Sequence, residues 1–428
     1  MRAARPQYEA PAAGPAPAYG GAMVVITTLF FMMGLITALN DVLIPHLKAV
    51  YALNYVQAML VQFCFFGAYF IVSVPAGMLI KRLGYQNGAV AGFVLAAVGC
   101  ALFYPASHGS YAEFLLAFFV LAAGITIMQV AANPYVTALG DPARASSRLT
   151  LTQAFNSLGT TIAPTLGGML ILSGAMLSAA DLAKLPEVQQ AAYRAKEAAT
   201  VQMPYLGLAA LLLVLALIFA FVRMPRIDHA EQEGADATGS LLSHRNLVLG
   251  TIGIFAYVGG EVSIGSFLIN FLGEKDVAAL APDAAAHFVS YYWGGAMVGR
   301  FIGFAVMRHV SPGKALATNA AGAAVLVLAA MFGKGGVAMW AIIAVGLCNS
   351  IMFPTIFSMA VNKLGALTGQ ASGVLCMAIV GGAVVPFLQG LLADAVGLRP
   401  SYVVPLACYA FILYFGLKYA NMYRSKAD

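Results

Sequence analysis

Charge is what this 428-residue sequence has least of: Asp, Glu, Lys and Arg together make up 9%, against roughly 25% in an average soluble domain. That scarcity excludes the two or three water-soluble domains a chain of this length would otherwise suggest. Cysteine is also sparse. Cys64, Cys100, Cys348, Cys376 and Cys408 all lie in apolar runs and form no CxxC pair, which excludes a disulfide scaffold and a thiolate metal site. The six histidines are scattered, so no metal or other cofactor is implied. What is abundant is apolar surface, with 61% hydrophobic residues and a mean hydropathy of +0.84. A water-soluble protein cannot hide that much, so the solvent is a lipid bilayer. The net charge of +6 sits in short connections between apolar runs. It is therefore a topology signal and not a nucleic-acid patch.

Apolar runs fall at 21–48, 55–80, 88–107, 112–138, 149–174, 201–222, 246–272, 285–308, 314–333, 337–362, 370–394 and 401–422. Each is long enough to cross a bilayer, which takes about 20 residues. Twelve crossings place both termini on one side. Of the 23 Lys and Arg, fifteen fall on the side of the termini, seven on the other, and Arg300 inside a helix. The excess makes the termini cytoplasmic. Residues 1–20 are rich in Ala and Pro and lack the apolar core of a cleavable signal, so they are expected to be a disordered tail. The longest hydrophilic connection, 223–245, separates a bundle at 21–222 from one at 246–422, with a short tail at 423–428.

The two halves look related. Gly77-Met-Leu-Ile-Lys-Arg82 recurs as Gly303-Phe-Ala-Val-Met-Arg308, 226 positions later. Pro134 answers to Pro354 at an offset of 220, and Pro164 and Gly168 to Pro386 and Gly390 at 222. Agreement at a nearly constant offset points to a duplicated bundle.

Two carboxylates lie deep in apolar runs, Asp41 in the first and Glu261 in the seventh, again 220 apart. A charge in hydrocarbon costs a few kcal/mol at least, so such groups face a bundle interior. They either pair with a neighbouring donor as packing or take up and release protons. Amides follow a pattern. Asn40, Gln57, Gln62, Gln129, Asn133, Gln153 and Asn156 lie in runs one, two, four and five. Asn270, Asn349, Asn362, Gln370 and Gln389 lie in seven, ten and eleven. Every third run carries none in its middle, as expected for an outer helix facing lipid. Hydrogen bonding between helices explains single amides but not the recurring blank. Amides with aromatics such as Tyr257 suit a neutral polyhydroxyl solute such as a sugar, and Arg300 needs a partner, either Glu261 or a backbone carbonyl.

Several stretches resemble the fucose–proton symporter family of the major facilitator superfamily. They are Gly77-Met-Leu-Ile-Lys-Arg-Leu-Gly84, Asn40-Asp-Val-Leu-Ile-Pro-His-Leu-Lys48, Gln62-Phe-Cys-Phe-Phe-Gly-Ala-Tyr69, Ala131-Ala-Asn-Pro-Tyr135, Arg148-Leu-Thr-Leu-Thr-Gln-Ala-Phe-Asn-Ser-Leu-Gly159 and Phe353-Pro-Thr-Ile-Phe-Ser358. The resemblance, over about 23–420, implies an all-α fold of two six-helix bundles. It also implies proton-coupled sugar uptake across a bacterial inner membrane by alternating access. It makes Asp41 the coupling carboxylate. Family members that carry fucose have an acid where this chain has Gln129 and an amide where it has Glu261. The relocated acid points instead to the glucose/galactose and N-acetylglucosamine members, and it keeps Na⁺ coupling open.

The expectation is a monomeric transporter, not an enzyme, whose partners are a sugar, a proton and the bilayer. Asp41 and Glu261 would couple protons. Asn40, Gln62, Gln129, Asn133, Gln153, Asn156, Tyr257, Glu261 and Asn270 would line the sugar site, and Arg82, Arg148 and Arg308 would hold loops. The rivals are a Na⁺-coupled symporter, a sugar or drug efflux antiporter and a membrane glycosyltransferase. Asp181, Glu187 and Glu197 are too dilute to serve the last of these.

Overall fold

Helices are what a bilayer demands, because a helix satisfies every backbone group within itself. The computed structural model describes residues 20–50, 55–170, 185–222, 224–225 and 240–422; within helices, the side chains of 40–42, 44–50, 55–59, 168, 170, 191, 194–195 and 282–283 are not described. The expected N-terminal tail, most of the 223–245 connection and Asp181 lie outside these residues. No strand occurs among the described residues.

In the first half α1 spans Gly20–Val50, α2 Tyr55–Ala106, α3 Tyr111–Ala138, α4 Ala145–Leu170, α5 Glu187–Ala199 and α6 Gln202–Phe221. In the second, α7 spans Arg245–Gly273, α8 Pro282–Val306, α9 Pro312–Phe332, α10 Gly335–Asn349, α11 Met352–Ala360, α12 Thr368–Met377, α13 Gly381–Val396, α14 Leu398–Ser401 and α15 Val403–Lys418. Two crossings run through α2, divided at Gly84, whose φ of 78° is a region glycine tolerates without strain. Nine described stretches are long and apolar enough to cross a membrane. One of these, Leu60–Ala106, holds two crossings. Helices α4 and α8 fall below that apolarity, and they complete the twelve expected crossings. These two polar helices pack on each other, which shields their polar faces from lipid.

The third, sixth, ninth and twelfth crossings pair at the periphery, as the blank positions predicted. The second part of α2 packs on α6, where Phe103 stacks on Tyr205 at 4.2 Å. Gln86 Nε2 there donates to the carbonyls of Phe219 and Val222, at 2.6 and 2.8 Å. Helix α9 packs on α15. Leu213, Val214, Leu217 and Phe221 of α6 and Val325 and Phe332 of α9 are exposed, as a lipid-facing surface requires.

The halves meet along two seams, α2 on α12 and α4 on α8, and the repeated glycine motif supplies one helix to each. A Cβ on Gly77 would lie 3.0 Å from the Gly369 carbonyl oxygen, and one on Gly373 would lie 2.5 Å from that of Ser73. Gly303, the counterpart of Gly77, lies against Ile351 and Thr150 in the other seam. The seams sit at the end of the bundle that bears the 139–145 and 361–367 connections. Ser146 and Ser358 hydroxyls are 2.6 Å apart there, and Ser147 Oγ donates to the Phe304 carbonyl at 2.7 Å.

Because the α2–α12 seam leaves no room for a side chain, Gly373→Val should destabilise the purified protein by about 1–3 kcal/mol through overpacking. Gly207→Val, at a glycine with nothing within 4 Å of its Cβ position, should leave the thermal unfolding midpoint close to that of the parent. Equal midpoints for both variants would contradict the packing described.

Candidate functional site

Prolines organise the polar centre. Pro134 in α3 has no N–H to give the carbonyl four residues back, that of Val130, and Pro354 in α11 leaves the Ser350 carbonyl free in the same way. Inside a membrane each must find another donor. Ser372 Oγ of α12 donates to Val130 across the seam at 2.8 Å. Arg300 Nε of α8 donates to Ser350 at 3.2 Å. The helix break at Ser350–Ile351, between α10 and α11, follows from the same missing donor.

Glu261 lies mid-way along α7 and is 9% exposed. Its carboxylate lies close to the Tyr257 hydroxyl, one turn earlier, and in the field of the Arg300 guanidinium. Behind it runs a buried hydrogen-bonded chain. Tyr292 Oη donates to the Glu261 carbonyl at 3.0 Å, Asn349 Nδ2 donates to Tyr292 Oη at 2.8 Å, and Tyr409 Oη donates to Asn349 Oδ1 at 2.8 Å. Helices α7, α8, α10 and α15 are thereby tied at the level of the acid.

Arg300 does cap carbonyls. Besides Ser350, its Nη1 reaches the first half, bonding Ser157 Oγ and approaching the Gln153 carbonyl at 3.5 Å. Among the described residues no carboxylate stands within ion-pair distance of it.

Within the first half, Tyr69 Oη of α2 donates to Gln129 Oε1 of α3 at 2.7 Å. One turn further along α3, Asn133 is fully buried beside Cys376 of α12, with both amide atoms short of a partner of normal geometry. Gln153 is buried in α4, and Asn156 Nδ2 donates to the Phe30 carbonyl at 2.9 Å, tying α4 to α1.

The structure thus brings Asn133 to the α2–α12 seam and Gln153 to the α4–α8 seam, holds Gln129 on Tyr69 within the first half, and groups Tyr257 and Glu261 near Arg300 in the second. Gln62 is half-buried on α2, two turns before Tyr69. Asn270 stands apart, exposed nine residues beyond Glu261, about 13 Å along the helix, beside a cleft with Glu274, Lys275 and Asp276. Asn40 and Asp41 fall on the α1 backbone, but their side chains, like that of Gln57, lie outside the described residues. Arg148 holds a connection, donating from Nη1 and Nη2 to the carbonyls of Asp141 and Thr137 at 2.7 and 3.0 Å. Arg308 lies 4.3 Å over the Phe304 ring. Sequence reasoning missed Ser157 and Ser372. The proline rule could have found Ser372's acceptor, since a carbonyl four residues before an intramembrane proline needs an outside donor.

Removing the centre of the hydrogen-bonded chain with Asn349→Ala strands the buried Tyr409 hydroxyl and should cost about 1–3 kcal/mol. Tyr409→Phe in the same chain should restore part of that loss. A thermal-unfolding double-mutant cycle reads the coupling, and strictly additive losses would show that the chain does not act as a unit.

Comparisons with known proteins bear on the family and the fold. The Major Facilitator Superfamily model matches residues 26–379. The chain is 57% identical over 401 residues to a glucose/galactose transporter of Brucella abortus biovar 1 (strain 9-941), covering 93% of this chain and 94% of that protein. It is 35% identical over 419 residues to the L-fucose-proton symporter of Escherichia coli (strain K12), covering 94% of each. A crystal structure of a Major Facilitator Superfamily transporter, FucP, in the outward conformation superposes with a TM-score of 0.86 at 33% identity, covering 94% of this chain and 99% of that one. With twelve crossings, a duplicated glycine motif at its seams and full-length likeness to these carriers, the chain belongs to the Major Facilitator Superfamily, in the fucose–proton symporter family.

Proposed function

We propose that this protein carries a hexose of the glucose/galactose class into the cell together with a proton. In this reading the bundles at 21–222 and 246–422 rock about the two seams. They are joined by the 223–245 linker, with both termini in the cytoplasm of a bacterium and the chain in its inner membrane. The near full-length likeness to a glucose/galactose transporter carries the choice of sugar. The place of Glu261, an acid buried beside the seam where fucose carriers of the family have an amide, supports it.

The site residues have distinct roles in this reading. Asp41 is the principal proton site, and Glu261 is a second acid or a direct sugar ligand. Gln129, Asn133 and Gln153 from one half, with Tyr257 from the other, offer the donors and acceptors that hydroxyl groups require. Asn133 suits the part best, because its amide is already desolvated and short of partners, so a sugar hydroxyl reaching it displaces no strong bond. Asn40, Gln62 and Asn156 complete the lining. Asn270, at the far mouth, meets the solute on entry. The closed end with the 139–145 and 361–367 connections is the cytoplasmic one, so the carrier is turned outward.

Adding glucose or galactose to vesicles should alkalinise the outside medium as protons enter with sugar. Asp41→Asn and Glu261→Gln should abolish uphill accumulation, while any variant that keeps counterflow has lost coupling but not binding. No proton movement with any hexose sinks the proton reading. Uptake that follows an imposed Na⁺ gradient replaces it with sodium coupling, and solute exit on an inward proton gradient replaces it with an antiporter. Competition of glucose, galactose, mannose, fucose and N-acetylglucosamine against labelled glucose should rank the first two highest.

A further inference from the structure

Arg300 is the one deep cation of the sequence, and the described contacts give it a use that neither pairing nor packing explains. Its Nε is fixed in the second half by the Ser350 carbonyl, which Pro354 cannot serve. Its Nη1 extends into the first half, to Ser157 Oγ and the Gln153 carbonyl. A guanidinium is planar and forked, so one side chain can serve acceptors on two bodies at once in a way an ammonium cannot. The acceptors in the first half are neutral, so the bond across the seam is strong enough to favour closure and weak enough to part. A carboxylate there would give a much deeper well in this low-dielectric setting.

We propose that Arg300 is the positioning residue that latches the two halves at the α4–α8 seam, holding this end of the bundle shut until the carrier turns. When the halves separate, Ser157 and Gln153 leave with α4, and the guanidinium keeps Ser350 while the Glu261 carboxylate and the Tyr257 hydroxyl stay near it in the second half. Opening therefore exchanges a bond across the seam for a closer approach to the acid. The latch rests on the alternating-access reading above but not on the identity of the sugar or coupling ion.

Ser146 and Ser358 report closure, because their hydroxyls are 2.6 Å apart across the halves. In membranes holding the full chain with Ser146→Cys and Ser358→Cys, copper–phenanthroline should form a disulfide at a rate set by the closed population, read by mass spectrometry without any substrate. Adding Arg300→Gln should slow that rate at least about fivefold, as expected for losing a charge-assisted bond in one of two states. Arg300→Lys should recover only part of it, and Ser157→Ala, which leaves the guanidinium on Ser350, should slow it about twofold. Unchanged rates in Arg300→Gln and Ser157→Ala overturn the latch. So does an equal loss in Arg300→Lys and Arg300→Gln with no effect of Ser157→Ala, which marks a cation needed only for folding. If Arg300→Gln fails to insert, Ser157→Ala decides alone, a slowed rate supporting the latch and an unchanged rate overturning it. A wrong choice of hexose shows up in the competition and alkalinisation measurements and leaves this rate untouched.

Discussion

A backbone carbonyl deprived of its helical partner inside a bilayer has no water to turn to, and the polar centre of this protein follows from where that happens. Pro134 and Pro354, at equivalent places in the repeat, each free one carbonyl beside a seam. The donors that fill them differ. Val130 accepts from a serine hydroxyl of the opposite half, whereas Ser350 accepts from Arg300 of its own half. Duplication set the same need twice, and divergence met it with a neutral group in one half and a cation in the other.

That difference propagates. A cation at Arg300 brings an acid into use nearby, and Glu261 supplies one, braced from behind by Tyr292, Asn349 and Tyr409. Among the described side chains of the first half stands the neutral pair Tyr69 and Gln129. The described centre of the second half is thus charged and bound into a hydrogen-bonded chain, whereas that of the first offers neutral amides, one of them, Asn133, buried without full satisfaction.

The seams themselves depend on small groups. Gly77, Gly373 and Ser73 let α2 and α12 approach closely, and the serines at 146, 147 and 358 make short neutral hydrogen bonds. Hydrogen bonds between membrane helices contribute on average only about 0.6 kcal/mol each. A contact made of many such bonds is specific in register yet separable, as rocking bundles require.

Much of this was legible in the chain. Scarcity of charge and the lengths of the apolar runs dictated a polytopic helical fold, because only helices of that length satisfy their backbone in lipid. The blank at every third run dictated which helices lie outermost, and the constant offset dictated the duplication. Glu261 stood out because a buried acid is expensive. The partners of Arg300 did not stand out, since its three acceptors come from two separate stretches of chain, one in each half, and one-dimensional spacing holds no record of which faces meet. Asn270 looked equivalent to the other amides in sequence, yet nine residues of helical rise put it in an exposed cleft with Glu274, Lys275 and Asp276. Tertiary packing alone decided that α4 and α8, the two most polar crossings, lie against each other, because hiding polar faces from lipid is a property of the pair and of neither helix alone.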